Sequence, residues 1–318
     1  MARLSDLIRE QASHPPGSGA RPHPAAASSF QQAVRSWVTS TRQETIRIKE
    51  AICSNKVPDV KSCAIYAEQV VQLLQHSDDV VGWALNGQTD DYLIDNALHV
   101  AVLATKVGIG LHYREQDLER LALLGLLHDI GMWTVPELLV AKRGVLSEEE
   151  RDIIRTHPER GRRILAGQGT VFEWIAGMSA QEHERWDGSG YPCRLKGTQI
   201  EEAAQIIGIV DTLDAMVTTR PYRHSISPHL AMRELLLHGR TIFSLPVLKA
   251  IGDHITLYPI GTVVRLNTGE TVTVTRTSSR YPLRPVVTLT KFGESSELDL
   301  SQGMSRHIVE VLQGRAAS

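Results

Sequence analysis

Apolar residues recur every three or four positions along most of the chain, which is the spacing of an amphipathic α-helix. Val70 and Leu74 follow this spacing, and Leu121–Leu127 forms an almost continuous apolar run. Ser147 followed three positions later by Glu150 is a capping-box signature, which predicts that another helix begins there. The pattern therefore predicts a mostly α-helical chain up to about residue 255.

The pattern changes after residue 256, where β-branched residues gather in short runs. These runs are Thr262–Leu266, Thr271–Thr275 and Val286–Thr290, and the turn signals Asn267–Gly269 and Pro282–Pro285 separate them. They predict a small β-rich module, a compact barrel or sheet, at the C-terminal end of this sequence.

Composition and pattern together divide the chain into four expected segments. Residues 13–29 are rich in Pro, Gly, Ala and Ser, a composition that buries too little apolar surface to fold. We expect a flexible N-terminal segment over 1–29, a helical support or regulatory segment over 30–88, a helical domain with the chemistry over 89–255, and the β-rich module over 256–318.

Bulk composition argues against several classes of protein. The 318 residues are 42% hydrophobic and 22% charged with a formal net charge of -2, so no basic surface indicates a nucleic-acid duplex as a partner. Cys53, Cys63 and Cys193 are too few and too irregularly spaced for a disulfide framework or a thiolate zinc site. Neither a signal-peptide pattern nor a long apolar stretch stands out, so we expect a cytoplasmic protein without a membrane span.

Three histidines and two aspartates stand out as candidate metal ligands. They are His128, Asp129, His157, His183 and Asp211, distributed over segments predicted to be helical. Asp129 follows a strongly apolar run, where a carboxylate is costly to bury without a metal or a paired charge. Imidazole and carboxylate together suit Fe, Mn or Zn, and two metals about 3.5–4 Å apart can hold both reacting oxygens of a phosphodiester. The spacing alone does not show that these side chains converge.

Four ordered blocks of sequence resemble the HD-GYP family of the HD metal-dependent phosphohydrolase superfamily. The blocks are His128-Asp129-Ile130-Gly131, His157-Pro158-Glu159-Arg160-Gly161, Glu182-His183-Glu184-Arg185-Trp186-Asp187-Gly188-Ser189-Gly190-Tyr191-Pro192, and Asp211-Thr212-Leu213-Asp214-Ala215-Met216 with Arg220-Pro221-Tyr222-Arg223. The resemblance implies a mostly α fold, an HD-superfamily helical domain followed by the β-rich module. It also implies hydrolysis of cyclic di-GMP.

The same resemblance implies a binuclear site and its ligands. One metal is expected on His128, Asp129 and Asp211, and Asp129 is expected to bridge to a second on His157 and His183. His128 and Asp129 are the expected catalytic pair, with two divalent transition-metal ions, Fe or Mn, as cofactors. The substrate contacts implied by the resemblance are Tyr191, Arg220 and Arg223.

Three positions depart from the family pattern. Asn96 stands where the family has a ligand histidine, and a neutral amide is a weaker ligand than imidazole for transition metals. Rotation of the helix could instead bring in His99, three positions along. Met132 replaces a lysine associated with the substrate phosphate, and Glu182 replaces the first of two histidines. Asn96 and Glu182 are therefore candidate metal ligands of an altered set, and Tyr92 at the place of a family glutamate argues against a third metal.

Three functional hypotheses follow. The first is an enzyme that opens cyclic di-GMP to the linear dinucleotide or to GMP and so degrades a bacterial signal. The alternative is a degenerate domain that senses the dinucleotide or engages a protein without hydrolysis, as the changes at Asn96 and Met132 suggest. A purely structural helical domain is the third reading. The partner expected from the resemblance is cyclic di-GMP, and the sequence leaves open a homo-oligomer or a signalling-protein partner.

Overall fold

The computed structural model describes residues 24–85, 89, 91–142, 144–219, 225–255, 258, 260–277, 281, 284–291, 294–303 and 305–313. In these residues, twelve α-helices and one five-residue 3-10 helix precede a C-terminal sheet. Two three-residue 3-10 turns, Gly197–Gln199 and Leu300–Gln302, complete the helical elements of the described residues. The predicted class, a mostly helical HD-type domain with a small β-rich C-terminal module, is confirmed.

Three helices precede the segment that carries the candidate ligands. They are α1 (Pro24–Cys53), α2 (Cys63–His76) and α3 (Asp79–Ala84). Helix α1 starts inside the segment predicted to be flexible, because proline is tolerated in the first turn of a helix and the alanines after it are the strongest helix formers. Residues 1–23 of the expected flexible segment lie outside the described residues.

The following helices lie in the part of the chain that carries the candidate ligands. They are α4 (Tyr92–Gly110), α5 (Glu115–Leu127), a 3-10 helix (Ile130–Thr134), α6 (Glu137–Val140), α7 (Glu148–Arg155), α8 (His157–Leu165), α9 (Thr170–Ser179), a 3-10 turn (Gly197–Gln199), α10 (Glu202–Val217), α11 (Pro228–His238) and α12 (Leu245–His254). Ser147 and Glu150 form the predicted capping box at the start of α7.

Helix α4 is the centre of the hydrophobic core. It packs against α1, α2, α5, α10 and α12, and 83% of its most apolar window is buried. By length and mean hydropathy α4 is the one helix of the described part that could cross a bilayer. Its apolar side chains are nevertheless covered by the neighbouring helices, as in the core helix of a folded domain.

The C-terminal module is one antiparallel sheet of five strands. They are β1 (Val263–Leu266), β2 (Thr271–Arg276), β3 (Val286–Lys291), β4 (Glu294–Asp299) and β5 (Ile308–Gln313), in the order β4-β3-β2-β1-β5. The three β-branched runs correspond to β1, β2 and β3. Strands β4 and β5 were not predicted; β4 is largely polar and pairs only with β3 at an edge, where a polar strand is favourable.

Candidate metal centre

Six side chains from four separate stretches of the chain meet in one place. We call His128, Asp129, His157, Glu182, His183 and Asp211 the acid–histidine cluster. One ligand atom from each of Asp129, His157, Glu182 and His183 lies within 4.8 Å of the others. His128 Nε2 lies 3.9 Å from both Glu182 Oε2 and Asp211 Oδ1, so this histidine and Asp211 flank the same group.

The ends of helices, rather than their middles, supply most of the cluster. His128 directly follows α5, Asp129 precedes the 3-10 helix, and His157 begins α8. The segment that carries Glu182 and His183 was predicted to be helical. Helix α9 ends at Ser179, and the two residues lie in the turn that follows.

Backbone carbonyls fix the orientation of two imidazoles. His128 Nδ1 lies 2.8 Å from the carbonyl oxygen of Gly125, and His157 Nδ1 lies 2.7 Å from that of Ile154. A carbonyl only accepts, so each Nδ1 carries a hydrogen and each neutral ring presents the lone pair of Nε2 to the cluster. This is how a histidine that binds a metal is commonly held.

Several atoms of the cluster have no hydrogen-bond partner among the described residues. They are both carboxylate oxygens of Glu182 and Nε2 of His128, all fully buried. The buried Oδ1 of Asp129 lies 3.0 Å from His157 Nε2. His157 Nε2 and His183 Nε2 lie 3.0 Å apart, although two lone pairs repel at that distance unless a proton or a cation lies between them. Buried polar atoms are rarely left unpaired, so oxygen and nitrogen donors converging in this way fit divalent metal ions.

The pKa values of the cluster also indicate that its carboxylates favour a positive charge beside them. Burial would lower the pKa of His128, but Glu182 and the two aspartates raise it to about 10. The pKa of His157 is likewise raised to about 10, because Asp129 and Glu182 outweigh burial. Burial raises the pKa of Glu182 to about 7. Burial and the charge of His157 lower the pKa of His183 to about 3, which leaves its ring neutral.

A buried network behind Asp211 was not predicted from the sequence. Asn96 Nδ2 donates to Asp211 Oδ1 at 2.9 Å and to Asp214 Oδ2 at 2.8 Å. Asp214 Oδ1 lies 2.8 Å from His99 Nδ1 and accepts from the hydroxyl of Thr218. The rotation that would bring His99 into the cluster does not occur. Asn96 touches the cluster through Asp211, and its own Oδ1 is buried without a partner in the described part of the chain.

The turn that carries Glu182 and His183 is held by the loop that follows it. Glu184 accepts hydrogen bonds from the backbone amides of Cys193 and Leu195, at 2.6 and 2.9 Å. Gly190 approaches this turn so closely that an added Cβ would lie 2.4 Å from the backbone nitrogen of Arg185. Gly190, in the sequence block that resembles the HD-GYP signature, therefore permits the loop to fold back onto the turn that carries Glu182 and His183.

The predicted substrate contacts have different outcomes. The ring of Tyr191 stacks on His183 with the centroids 4.8 Å apart, so this tyrosine lies beside the cluster. Met132 lies in the 3-10 helix directly after Asp129. Arg220 and Arg223 lie outside the described residues, and their expected role stays a prediction.

Comparison with known proteins agrees with this geometry. The family model of the HD domain matches residues 69–243, more than half of the chain. The cyclic di-GMP phosphodiesterase PA4108 of Pseudomonas aeruginosa is 29% identical over 215 residues, 68% of this chain and 52% of that protein. The cyclic di-GMP phosphodiesterase response regulator RpfG of Xanthomonas campestris pv. campestris is 31% identical over 160 residues, 50% of this chain and 41% of that protein.

A third relative differs in its named substrate. The 3'3'-cGAMP-specific phosphodiesterase 1 of Vibrio cholerae is 38% identical over 128 residues, 39% of this chain and 28% of that protein. The chain spans about half the length of PA4108 and less of the other two relatives.

A solved structure shares the fold. Bd1817, an HDG"Y"P protein from Bdellovibrio bacteriovorus, superposes with a TM-score of 0.59 at 16% identity, over 78% of this chain and 76% of that one. HD domain phosphohydrolases use divalent metals, and the acid–histidine cluster lies within the residues that the HD domain model matches. The chain belongs to the HD-GYP family of the HD superfamily.

Proposed function

We propose that this protein hydrolyses cyclic di-GMP in a metal-dependent reaction, giving the linear dinucleotide or GMP and so degrading a signal. One observation carries the proposal: buried carboxylate and imidazole atoms converge without partners among the described residues. The names of the relatives support a cyclic dinucleotide as substrate, and PA4108 and RpfG are named for cyclic di-GMP.

The ligand set divides into two sides. His128, Asp129 and Asp211 are the proposed ligands of one divalent ion, and His157 with His183 those of the other. Glu182 faces both sides, since its carboxylate lies 3.6 Å from His157 Nε2 and 3.9 Å from His128 Nε2. Hard carboxylates combined with imidazole favour Fe or Mn. Bound there, divalent ions would supply Lewis-acid activation of water and of the phosphoryl oxygens.

The protein's own groups have the task of holding the substrate and excluding water. Tyr191 is well placed for this, because burial and the carboxylates of Asp129 and Glu182 raise its pKa above the usual range. Its hydroxyl therefore stays protonated and can donate to a phosphate oxygen. We assign Arg220 and Arg223 to the same phosphates, since guanidinium groups bind phosphate through two parallel hydrogen bonds.

The sensor alternative rests on a specific observation. The amide nitrogen of Asn96, at the place of a family ligand, donates to Asp211 and Asp214. A ligand set with an amide, or with one ligand fewer, binds metal more weakly. Together with the missing lysine at Met132, this favours a domain that binds a cyclic dinucleotide or a signalling protein without cleaving it.

Turnover separates the two functions. Anaerobically purified protein supplied with Mn²⁺ or Fe²⁺ should convert cyclic di-GMP to product, and Asp129→Ala should abolish both turnover and metal binding. Lys142→Ala, at a partly exposed side chain that pairs with Glu150 and is no member of the cluster, is the control and should retain both. Binding of intact cyclic di-GMP without product would establish the sensor instead, and unchanged metal content in Asp129→Ala would contradict the proposed ligand set.

A further inference from the structure

An open cleft of about 560 Å³ lies beside the acid–histidine cluster. Its wall includes Thr134, Arg155, Thr156, Glu159, Arg160 and Pro192. Thr156 directly precedes His157, and Pro192 directly follows Tyr191, whose ring stacks on His183. A volume of this size falls in the range of small-molecule sites. We call it the arginine cleft.

The charged groups of the arginine cleft leave an excess of positive charge. Arg155, Arg160 and Arg163 line it together with one carboxylate, Glu159. That carboxylate already accepts from Arg162 Nε at 2.7 Å and from Arg163 Nε at 3.2 Å. Among the described residues that line the cleft, no carboxylate pairs with the guanidinium groups of Arg155 and Arg160.

Arg160 is fixed in position by uncharged oxygens. Its Nε donates to the hydroxyl of Thr156 at 2.8 Å, and its Nη1 donates to the carbonyl of Thr134 at 3.1 Å. Its Nη2 has no hydrogen-bond partner within the described ranges. An arginine held in this way loses little conformational entropy when it binds a ligand.

Arg155 links the cleft to the cluster. Its Cζ lies 5.9 Å from the centroid of the Tyr191 ring, and that ring stacks on His183. Its ion pairs with Asp152 and Glu148 are long or exposed, at 3.2 and 3.6 Å, so they hold it weakly. A planar guanidinium beside an aromatic ring is also a surface on which a nucleobase can stack.

We infer that the arginine cleft binds a guanine base of the cyclic dinucleotide and selects it over adenine. Guanidinium groups only donate hydrogen bonds. Guanine offers two acceptors, O6 and N7, on one edge, whereas adenine offers N7 beside an amino donor. Arg155 and Arg160 therefore match guanine, and an adenine amino group would meet a donor. A phosphate alone would leave most of the cleft unfilled.

This inference rests on the proposed function for its ligand. With the scissile phosphodiester at the acid–histidine cluster, an adjoining nucleoside would lie near the histidine pair, to which Arg155 of the cleft is linked through the Tyr191 ring. The inference adds the specificity residues Arg155 and Arg160, neither of which belongs to the proposed ligand set.

Equilibrium binding to metal-free protein tests the inference. The full chain in EDTA, where no hydrolysis takes place, is titrated calorimetrically with cyclic di-GMP and with cyclic di-AMP. Wild-type protein should bind the guanine compound at least about tenfold more tightly. Arg160→Lys keeps the charge but loses the fixed planar group, and it should remove most of that preference. Arg155→Gln should act in the same direction and, since Arg155 is exposed, it leaves folding intact.

Arg151→Gln is the matched control, because Arg151 lies on the same helix α7 as Arg155 and pairs with Glu148, but does not line the cleft. It should keep the guanine preference. Equal binding of the two compounds by wild-type protein, absence of binding of either, or a preference that survives both cleft variants would overturn the inference. Hydrolysis is measured separately with Mn²⁺, so a protein that binds guanine without cleaving the substrate contradicts the proposed enzyme and not the cleft.

Discussion

At the scale of single residues, Glu182 is the most informative member of the cluster. Its side chain is almost completely buried, and neither carboxylate oxygen has a hydrogen-bond partner among the described residues. A buried carboxylate in this state is costly unless a cation is close. Glu182 stands where the family has a histidine, so this chain has a carboxylate in place of an imidazole there, while an amide occupies position 96.

We expect Glu182→Gln to weaken metal binding and the stabilisation that metal gives. At a free Mn²⁺ concentration of 100 times Kd, a metal that binds only folded protein stabilises it by about 2.7 kcal/mol. Loss of the charged ligand should raise Kd at least about tenfold. The rise in Tm on adding Mn²⁺ should therefore shrink, as measured by thermal unfolding with and without EDTA.

Glu148→Gln is the control for that measurement, because Glu148 is exposed on α7 and pairs with Arg151 and Arg155. Its response to Mn²⁺ should equal that of the wild type. If Glu182→Gln also responded like the wild type, Glu182 would not be a ligand, and the cluster would have to bind metal through its remaining members.

At the scale of elements, close backbone contacts place the ligands. The 3-10 helix after Asp129 packs against α8, and Gly131 makes the closest approach. A Cβ on Gly131 would lie 2.0 Å from the carbonyl oxygen of His157 and 2.6 Å from the nitrogen of Gly161. The two glycines thus allow Asp129 and His157 to come within 3.0 Å of each other.

We expect Gly131→Ala to destabilise the protein and to weaken Mn²⁺ binding together. The added methyl group has to displace α8, a form of overpacking that costs about 1–3 kcal/mol or more. Since His157 begins α8, the displacement should also separate His157 from Asp129. Chemical denaturation gives the free energy of unfolding, and metal titration gives the affinity.

Gly177→Ala is a matched control with the opposite expected sign. Gly177 lies inside α9, and apart from its chain neighbours and its own helix backbone, no atom of the described residues lies within 4 Å of a Cβ added there. Alanine in a helix interior is more stable than glycine by about 0.5–1 kcal/mol. A stabilised Gly177→Ala beside an unaffected Gly131→Ala would mean that the contact between the 3-10 helix and α8 is not needed to place the ligands.

Local signals in the sequence predicted most elements but not the long-range contacts. The apolar run before His128 and the capping box at Ser147 predicted α5 and α7, because both depend on neighbouring residues. Glu182 and His183 were expected on a helix, whereas they lie in a turn whose shape depends on Glu184 and Gly190, residues that act on backbone several positions away. The link from Asn96 to Asp214 spans 118 positions and has no local pattern.

At the scale of the whole molecule, the N-terminal helices and the cluster share contacts. Trp37 on α1 meets Trp83 on α3 edge to face at 6.0 Å, and Trp83 meets the ring of His99 at 4.8 Å. His99 contacts Asp214, which accepts from Asn96, the residue that also donates to Asp211. Lys49 on α1 pairs with Asp91 at the start of α4. A continuous series of contacts therefore connects the segment before residue 89 with the proposed metal ligands.

We expect Trp37→Ala to lower the free energy of unfolding of the helical part as one cooperative unit. Trp37 is 1% exposed and donates from Nε1 to the carbonyl of Tyr66, so its removal should cost about 3–5 kcal/mol. Val57→Ala, at a side chain that is 83% exposed, should stay within about 0.5 kcal/mol of the wild type.

Urea unfolding followed by far-ultraviolet circular dichroism and by Mn²⁺ affinity distinguishes two architectures. If the shared contacts couple the segments, both signals should be lost at the same, lowered urea concentration in Trp37→Ala, because unfolding of α1 removes the packing behind His99 and Asp214. If residues 30–88 instead formed an independent unit, helical signal would be lost in two steps. Mn²⁺ affinity would then be lost in the second step, at the urea concentration of the wild type. A structural change in the N-terminal helices could in that case not reach the proposed metal ligands through this contact series.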